Sequence, residues 1–402
     1  MSDDAKKFGA NDSQRTRMVH VARAHAPGST KSVNPPLVRA STVLYENSQH
    51  LRDTALRRRS GERNFSYGAR GTPTVYALED ALTEVEGGSR TQLFPTGLAA
   101  IAHVFLSVLK PGDHVLLAET IYGPARAIAD EYLTPRGIVC EYYTGASEAP
   151  AEVARRLRSD TRLVYLDNPG SIVFDVQDLP AIAAAVRANN PHTLIGVDNT
   201  WGAAGLYRPL TLGADISIVA LTKYIAGHSD VTMGSVTAKG EVADRLWHDS
   251  GLLGQTVSPD DAYLVLRGLR TVSARIAQAS ANAMEVISWL EQQSQVARVL
   301  FPALPSDPGH ALWKRDFHGT ISLFSIELTP DHTVEHANRL IDGLRLFGIG
   351  ASWGGFESLV LTYPQGIRGW HGGPLVRIHV GLEDPADLIA DLARGLTAAK
   401  PG

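Results

Sequence analysis

Short apolar runs alternate with helical stretches through the middle of the chain. The runs His114-Val115-Leu116-Leu117, Leu163-Val164-Tyr165-Leu166, Thr193-Leu194-Ile195-Gly196-Val197 and Ile216-Ser217-Ile218-Val219-Ala220 predict buried strands. From Tyr76 to Glu86, Leu78, Leu82 and Val85 fall on one helical face, and Gly87-Gly88 ends the segment. Strands separated by helices predict an α/β architecture with a central, mostly parallel sheet flanked by helices. No fixed-period repeat or low-complexity tract interrupts this pattern.

The two ends of the chain differ from its middle. Residues 1–63 are polar, with Pro27, Pro35 and Pro36, and are expected to form an extended N-terminal arm of the kind that packs on a partner subunit. Residues 64–259 carry the strand and helix alternation. Beyond them, a long helical region through Gln293 precedes a partly alternating stretch, Gly319 to Leu328, and a strand-like run, Leu375 to Val380. Residues 260–402 are therefore expected to form a smaller C-terminal α+β domain.

Composition narrows the function classes. The 402 residues are 44% hydrophobic and 20% charged, enough apolar surface for a large core. A formal net charge of -4 supplies no global basic field for a nucleic-acid backbone, and clusters such as Arg57-Arg58-Arg59 read as solvated surface or a local anion site. Cys140 is the only cysteine, which excludes an intramolecular disulfide and a cysteine-based metal cluster. The start, Met1 to Lys7, lacks the basic-then-apolar order of a secretory signal, and no apolar run has membrane-spanning length. These features lead us to expect a cytoplasmic protein with no nucleic-acid or membrane partner and no metal.

The chemistry is expected at the strand ends, because an open parallel sheet binds ligands beyond the carboxyl ends of its strands. Asp167-Asn168, Asp198-Asn199 and Thr222-Lys223 all fall there. In Phe94-Pro95-Thr96-Gly97-Leu98-Ala99-Ala100 a glycine precedes a helix-like segment, which suits either a tight turn or a phosphate held by first-turn N–H groups. Asp198, after a buried strand, reads as a loop cap or as a carboxylate facing a cation such as a protonated pyridine nitrogen. Lys223, beside Leu221, Ile225 and Ala226, has little polar surface around it, which favours its neutral, nucleophilic amine.

The combination of Tyr67-Gly68, Asp198-Asn199-Thr200-Trp201, Thr222-Lys223-Tyr224, Ser352-Trp353-Gly354-Gly355 and Arg377 resembles the Cys/Met-metabolism family of pyridoxal 5'-phosphate (PLP) enzymes. The likeness runs from Asn34-Pro35-Pro36 to Gly381-Leu382-Glu383-Asp384. It implies the aminotransferase fold type I. By the same resemblance Lys223 matches the Schiff-base lysine, Asp198 the partner of the pyridine nitrogen, and Tyr122 the tyrosine stacked on the cofactor ring. Gly97, Leu98 and the Thr222 hydroxyl match the phosphate site, and Tyr67 matches a tyrosine that reaches the phosphate of a neighbouring subunit. Arg377 matches the residue that takes the substrate carboxylate, with Ser352 and Trp353 beside it. Lys223 and Tyr122 are then the proton-handling pair.

Two departures from the family pattern stand out. An arginine is expected two residues after Tyr67, where this chain has Ala69, and Arg70 or Arg63 is the available replacement. Ala220 stands where many γ-acting members have serine, and Trp353 where they generally have leucine. Both favour the β-acting branch, so the resemblance implies α,β-elimination of a sulfur amino acid such as cystathionine, in a homotetramer built from active-site-sharing dimers. A γ-lyase, a lyase for another sulfur amino acid, and a non-catalytic PLP-binding protein are the alternatives.

Overall fold

A computed structural model describes residues 13–22, 32–144, 146–363 and 367–400. Its first sheet is built from β1 (Arg90–Phe94), β2 (His114–Ala118), β3 (Val139–Tyr143), β4 (Thr161–Asp167), β5 (Leu194–Asp198), β6 (Ile216–Ala220) and β7 (Gly234–Ala238). The seven strands lie in the order β1-β7-β6-β5-β4-β2-β3. The neighbours from β6 through β3 are parallel, and β7 alone runs against the rest, antiparallel to both β6 and β1. The mixed but mainly parallel sheet flanked by helices is the α/β arrangement expected from the alternating pattern.

The strands form where the sequence offers unbroken aliphatic runs, because helices cover both faces of the sheet. All five residues of β2 are buried, and Leu163 to Leu166 of β4 are inaccessible to solvent. Full burial of each such Leu or Val contributes about 1.5–3 kcal/mol before conformational entropy is counted. Helix Gly97–Val108 packs against β6 and β7, and helix Pro73–Glu86 against β1.

A second sheet comprises β8 (Val296–Leu300), β9 (Leu323–Leu328), β10 (Gly348–Ile349), β11 (Leu359–Thr362) and β12 (Leu375–His379), ordered β10-β11-β12-β9-β8. Its pairs are antiparallel except β10 with β11. The long helix Pro259–Leu290 precedes it. Ser258 caps this helix by accepting from the Asp260 N–H at 3.2 Å, Pro259 occupies its first turn, and Asp260 and Asp261 face its positive end.

The arm is less extended than its prolines suggest. Helix Ser48–Arg59 forms because the Asn47 side chain accepts from the His50 N–H, at 2.9 Å, and a short helix spans Gln14–His20. Leu44, Leu51 and Leu56 are exposed along this region. Met1 to Lys7 and Pro27 lie outside the described residues. Among the described residues no helix is long and apolar enough to cross a membrane.

Candidate active site

The carboxyl ends of the parallel strands converge on one place. β4 ends in Asp167 and β5 in Asp198, and the register pairs these two residues directly. After β6 the chain turns through Leu221 to Ala226, which puts Lys223 beside them. Helix Gly97–Val108 begins at the same edge. Its Thr96 side chain accepts from the Ala99 N–H at 3.0 Å, while the first-turn N–H groups of Gly97 and Leu98 are of the kind that a helix leaves without internal partners.

Close approach explains the glycine. A Cβ on Gly97 would lie 2.6 Å from the Ala220 Cβ, far inside contact distance. The helix start therefore presses on the end of β6, and Gly97 and Ala220 are small for the same reason. Thr222 stands alongside, its hydroxyl donating to the Met233 carbonyl at 3.2 Å and accepting from the Met233 N–H at 2.9 Å. That hydroxyl serves a phosphate only by turning its proton away from Met233.

The titratable groups are strongly displaced. Burial, followed by the positive charge of Arg377, lowers the Lys223 ammonium from 10.5 to about 8, against a smaller opposing pull from Asp198. Its Nζ donates to Ser352 Oγ at 2.8 Å and sits 5.4 Å from the centre of the Trp353 ring. Burial raises the Asp198 carboxyl, although one oxygen accepts the Thr200 N–H at 2.9 Å. Asp167 is pushed well above the ordinary carboxylate range, by burial first and by Asp198 second. One Asp167 oxygen accepts the Tyr122 N–H at 2.8 Å, and the other is buried without a partner.

Tyr122 leads the short helix Gly123–Ala127 and is 44% exposed, so one part of the ring remains open at the mouth of the site. Burial, then the nearby Asp198 charge, raises its hydroxyl pKa, and Arg377 opposes the rise. Arg377 projects from β12. Its Nη2 donates to the carbonyls of Ala351 and Ser352, 3.2 Å from each, and its guanidinium lies 5.8 Å from the centre of the Tyr363 ring. Lys223, Asp198, Tyr122, Gly97, Leu98, Thr222, Ser352, Trp353 and Arg377 thus surround one region.

Tyr67 is apart from this group within the chain. It is 50% exposed and leads the turn Gly68–Arg70 on the outer surface. Of the two arginines near Ala69, Arg63 is fully engaged: it holds Glu79 at 3.0 Å and Asp80 at 2.6 Å, and covers the Tyr76 ring. Arg70 is exposed and donates to the Gly251 carbonyl at 2.5 Å. Of these two, Arg70 is the one with no carboxylate partner among the described residues.

Two residues beyond those the resemblance assigns also belong to the site. Asp167 was visible as a strand-end carboxylate, and its adjacency to Asp198 follows once β4 and β5 are paired. Tyr363 carries no local signal, since its place beside Arg377 depends on the pairing of β11 with β12.

The residues present fit a pyridoxal phosphate: a partly neutral buried amine, a carboxylate for a ring N–H, an aromatic cover, and a helix start for an anion. Comparison with known proteins agrees. The chain is 44% identical over 374 residues to the cystathionine beta-lyase of Bordetella avium, covering 91% of this chain and 92% of that one. It is 37% identical to the L-alanine/L-glutamate racemase of Wolbachia pipientis, covering 91% and 92%. Its structure matches that of metB from Corynebacterium glutamicum with a TM-score of 0.86 at 29% identity, covering 96% and 98%. The Cys/Met metabolism PLP-dependent enzyme family matches residues 15–397, and the chain belongs to that family.

Proposed function

We propose that the chain is a PLP-dependent carbon–sulfur lyase that carries out α,β-elimination on cystathionine, giving homocysteine, pyruvate and ammonia. The observation that carries this reading is the placement of Lys223, an amine titrating at about 8, against Ser352 and within the field of Arg377. The amine that takes a proton is thus next to the cation that fixes the substrate. When bound, PLP supplies an electron sink for negative charge at the substrate α-carbon.

Gly97, Leu98 and Thr222 would hold the phosphate, and Asp198 would accept the ring N–H. A carboxylate at this buried strand end resists ionisation when alone, and a cationic N–H restores its charge. Arg377 keeps its planar guanidinium at the mouth, where a substrate carboxylate is taken bidentately. The α-hydrogen then faces Lys223, a positioning effect worth several kcal/mol on the order of a well-oriented intramolecular reaction. Neutral Lys223 takes the α-proton, the Cβ–S bond breaks, and the thiolate is protonated by Lys223 or by the Tyr122 hydroxyl. Hydrolysis of the remaining three-carbon unit gives pyruvate and ammonia.

The outward-facing Tyr67 supports a dimer in which that tyrosine completes the neighbouring phosphate site, two such dimers forming a tetramer. The reaction is tested with purified holoenzyme and L-cystathionine, following pyruvate. Stoichiometric pyruvate and homocysteine are expected. Formation of 2-oxobutyrate from a homoserine-derived substrate instead would assign γ-elimination, and inversion of L-alanine or L-glutamate without elimination would assign racemisation.

A further inference from the structure

His379 is 1% exposed, yet both of its ring nitrogens are engaged at the seam between the two sheets. Its Nε2 accepts the Gly354 N–H at 3.1 Å and lies 3.2 Å from the Gly355 carbonyl oxygen. Its Nδ1 lies 3.3 Å from Ser322 Oγ and 3.5 Å from the Tyr224 hydroxyl. The Tyr224 hydroxyl accepts the Ser322 N–H at 3.1 Å and shares a hydrogen with Ser322 Oγ at 3.0 Å. One buried imidazole thus joins Tyr224, which follows Lys223, to the loop that contains Ser352 and Trp353.

The ring is neutral. Burial lowers its pKa to about 4; the Gly355 carbonyl beside Nε2 opposes the fall, and the Arg377 and Lys223 charges add to it. A neutral ring that accepts at Nε2 carries its hydrogen on Nδ1, where Ser322 and Tyr224 supply acceptors. Gly354 then bonds the ring at Nε2 and Ser322 or Tyr224 at Nδ1, with no net charge beside Arg377 and Lys223, while the Gly355 carbonyl takes no hydrogen from Nε2.

The loop from Ala351 to Gly355 sets both substrate-facing groups. Its Ala351 and Ser352 carbonyls hold Arg377 Nη2, and its Ser352 hydroxyl accepts from Lys223. It crosses the cofactor-lysine turn so closely that a Cβ on Gly354, whose φ is +83°, would lie 2.7 Å from the Tyr224 nitrogen. Arg377 and His379 are alternate residues of β12, so their side chains leave the strand on one face. The Gly354 N–H to Nε2 bond closes a ring of contacts from β12 through the loop and back to β12.

We infer that His379 is a positioning residue for substrate-carboxylate recognition: its Nε2 pins the Ala351–Gly355 loop so that the loop's carbonyls orient Arg377, while its Nδ1 side registers that loop on the Lys223 turn. The inference rests on Arg377 as the carboxylate site of the proposed reaction and is independent of the leaving group. A loop displaced by about 1 Å would loosen Arg377 without touching the phosphate cradle, which belongs to the first sheet.

Two substitutions separate the two nitrogens. Asparagine reaches the position of Nδ1 and glutamine that of Nε2, so His379→Gln keeps a partner for Gly354 and His379→Asn does not. The probe is L-alanine, which has an α-carboxylate and no leaving group, titrated against each holoenzyme by the absorbance change of the bound cofactor. Cofactor affinity and Tm are measured on the same variants. H379N is expected to raise the L-alanine dissociation constant about tenfold and H379Q less than about threefold, with cofactor affinity within about twofold of the unsubstituted chain in both. Equal effects of the two variants, no effect of either, or a parallel loss of cofactor and alanine affinity would overturn the assignment. Pyruvate release from cystathionine by the unsubstituted holoenzyme is followed in parallel. Failure of the lyase reading shows there, and failure of the His379 role shows in the asparagine–glutamine comparison.

Discussion

The two walls of the site are built differently. The Lys223 wall consists of strand ends and one helix start: Asp167, Asp198, Thr222, Lys223 and Gly97 each stand within three residues of a regular element of the first sheet or its packed helix. The opposite wall, Ser352, Trp353, Tyr363 and Arg377, is mostly loop, and its single strand residue is held by two carbonyls of that loop. Rigid elements fix groups whose pKa values are displaced, while a hydrogen-bonded loop fixes the arginine proposed to meet substrate. Substitutions in the first wall should therefore act on cofactor binding and turnover, and those in the second on substrate affinity.

The hardest test of this division is Lys223→Ala. In the proposed reaction it removes both the cofactor's covalent anchor and the base, and pyruvate release should fall by at least about 10³-fold with the fold retained. Circular dichroism checks the fold and a coupled pyruvate assay checks the rate; retained turnover would sink the assignment. The same residue sharpens the comparison through pH. An amine titrating at about 8 gains its neutral form as pH rises toward 8 and gains little beyond it. Acetylation of Lys223 in the cofactor-free chain, read by peptide mass spectrometry, should speed up about tenfold per pH unit below 8 and level off above it. A rate still climbing at pH 10 would show an ordinary lysine.

Arg377→Ala attacks the other wall. Loss of a bidentate carboxylate partner should reduce kcat/KM about 10²-fold, chiefly through KM, with cofactor affinity unchanged. Tyr122→Phe should be milder, about tenfold and in kcat, because Lys223 remains as proton donor. Loss of cofactor affinity in R377A would place Arg377 with the Lys223 wall, and a raised KM in Y122F would give Tyr122 a role in substrate binding.

The same contrast explains what the sequence made legible. Four of the first sheet's strands are continuous aliphatic runs, so their ends, and with them Asp198 and Lys223, follow from local pattern. The reversed strand β7 does not, because Gly234-Ser235-Val236-Thr237-Ala238 holds a single large aliphatic residue and its direction depends on pairing with β1 as well as β6. Asp167's contact with the Tyr122 N–H spans 45 positions, and His379's contact with Gly354 spans 25. Such contacts are set by register between distant strands, which no window of residues contains. The Ser48–Arg59 helix escaped for a different reason: its residues are too polar to show an apolar stripe, and the cap at Asn47 supplies the signal.

The smallest effect on activity is expected at Arg63, where sequence left a choice that geometry narrows. Glu79, 7% exposed, accepts from Arg63, and burial lifts its pKa from 4.5 to about 7 despite that arginine. The folded pKa exceeds the unfolded one, so the folded chain binds more protons between those values, and this group's contribution to stability declines as pH rises from about 4.5 through 7. Arg63→Ala removes the charge that limits the rise. At pH 8 it leaves a buried carboxylate without its cation and should cost about 1–3 kcal/mol, whereas at pH 5 the folded-state Glu79 is already protonated and the cost should be smaller. Urea unfolding of R63A at the two pH values measures the difference. Because the Arg63 guanidinium is taken up by Glu79 and Asp80, cofactor affinity should be unchanged; a larger loss of stability at pH 5 than at pH 8 would sink the Glu79 pairing, and a weakened cofactor affinity would return Arg63 to the phosphate.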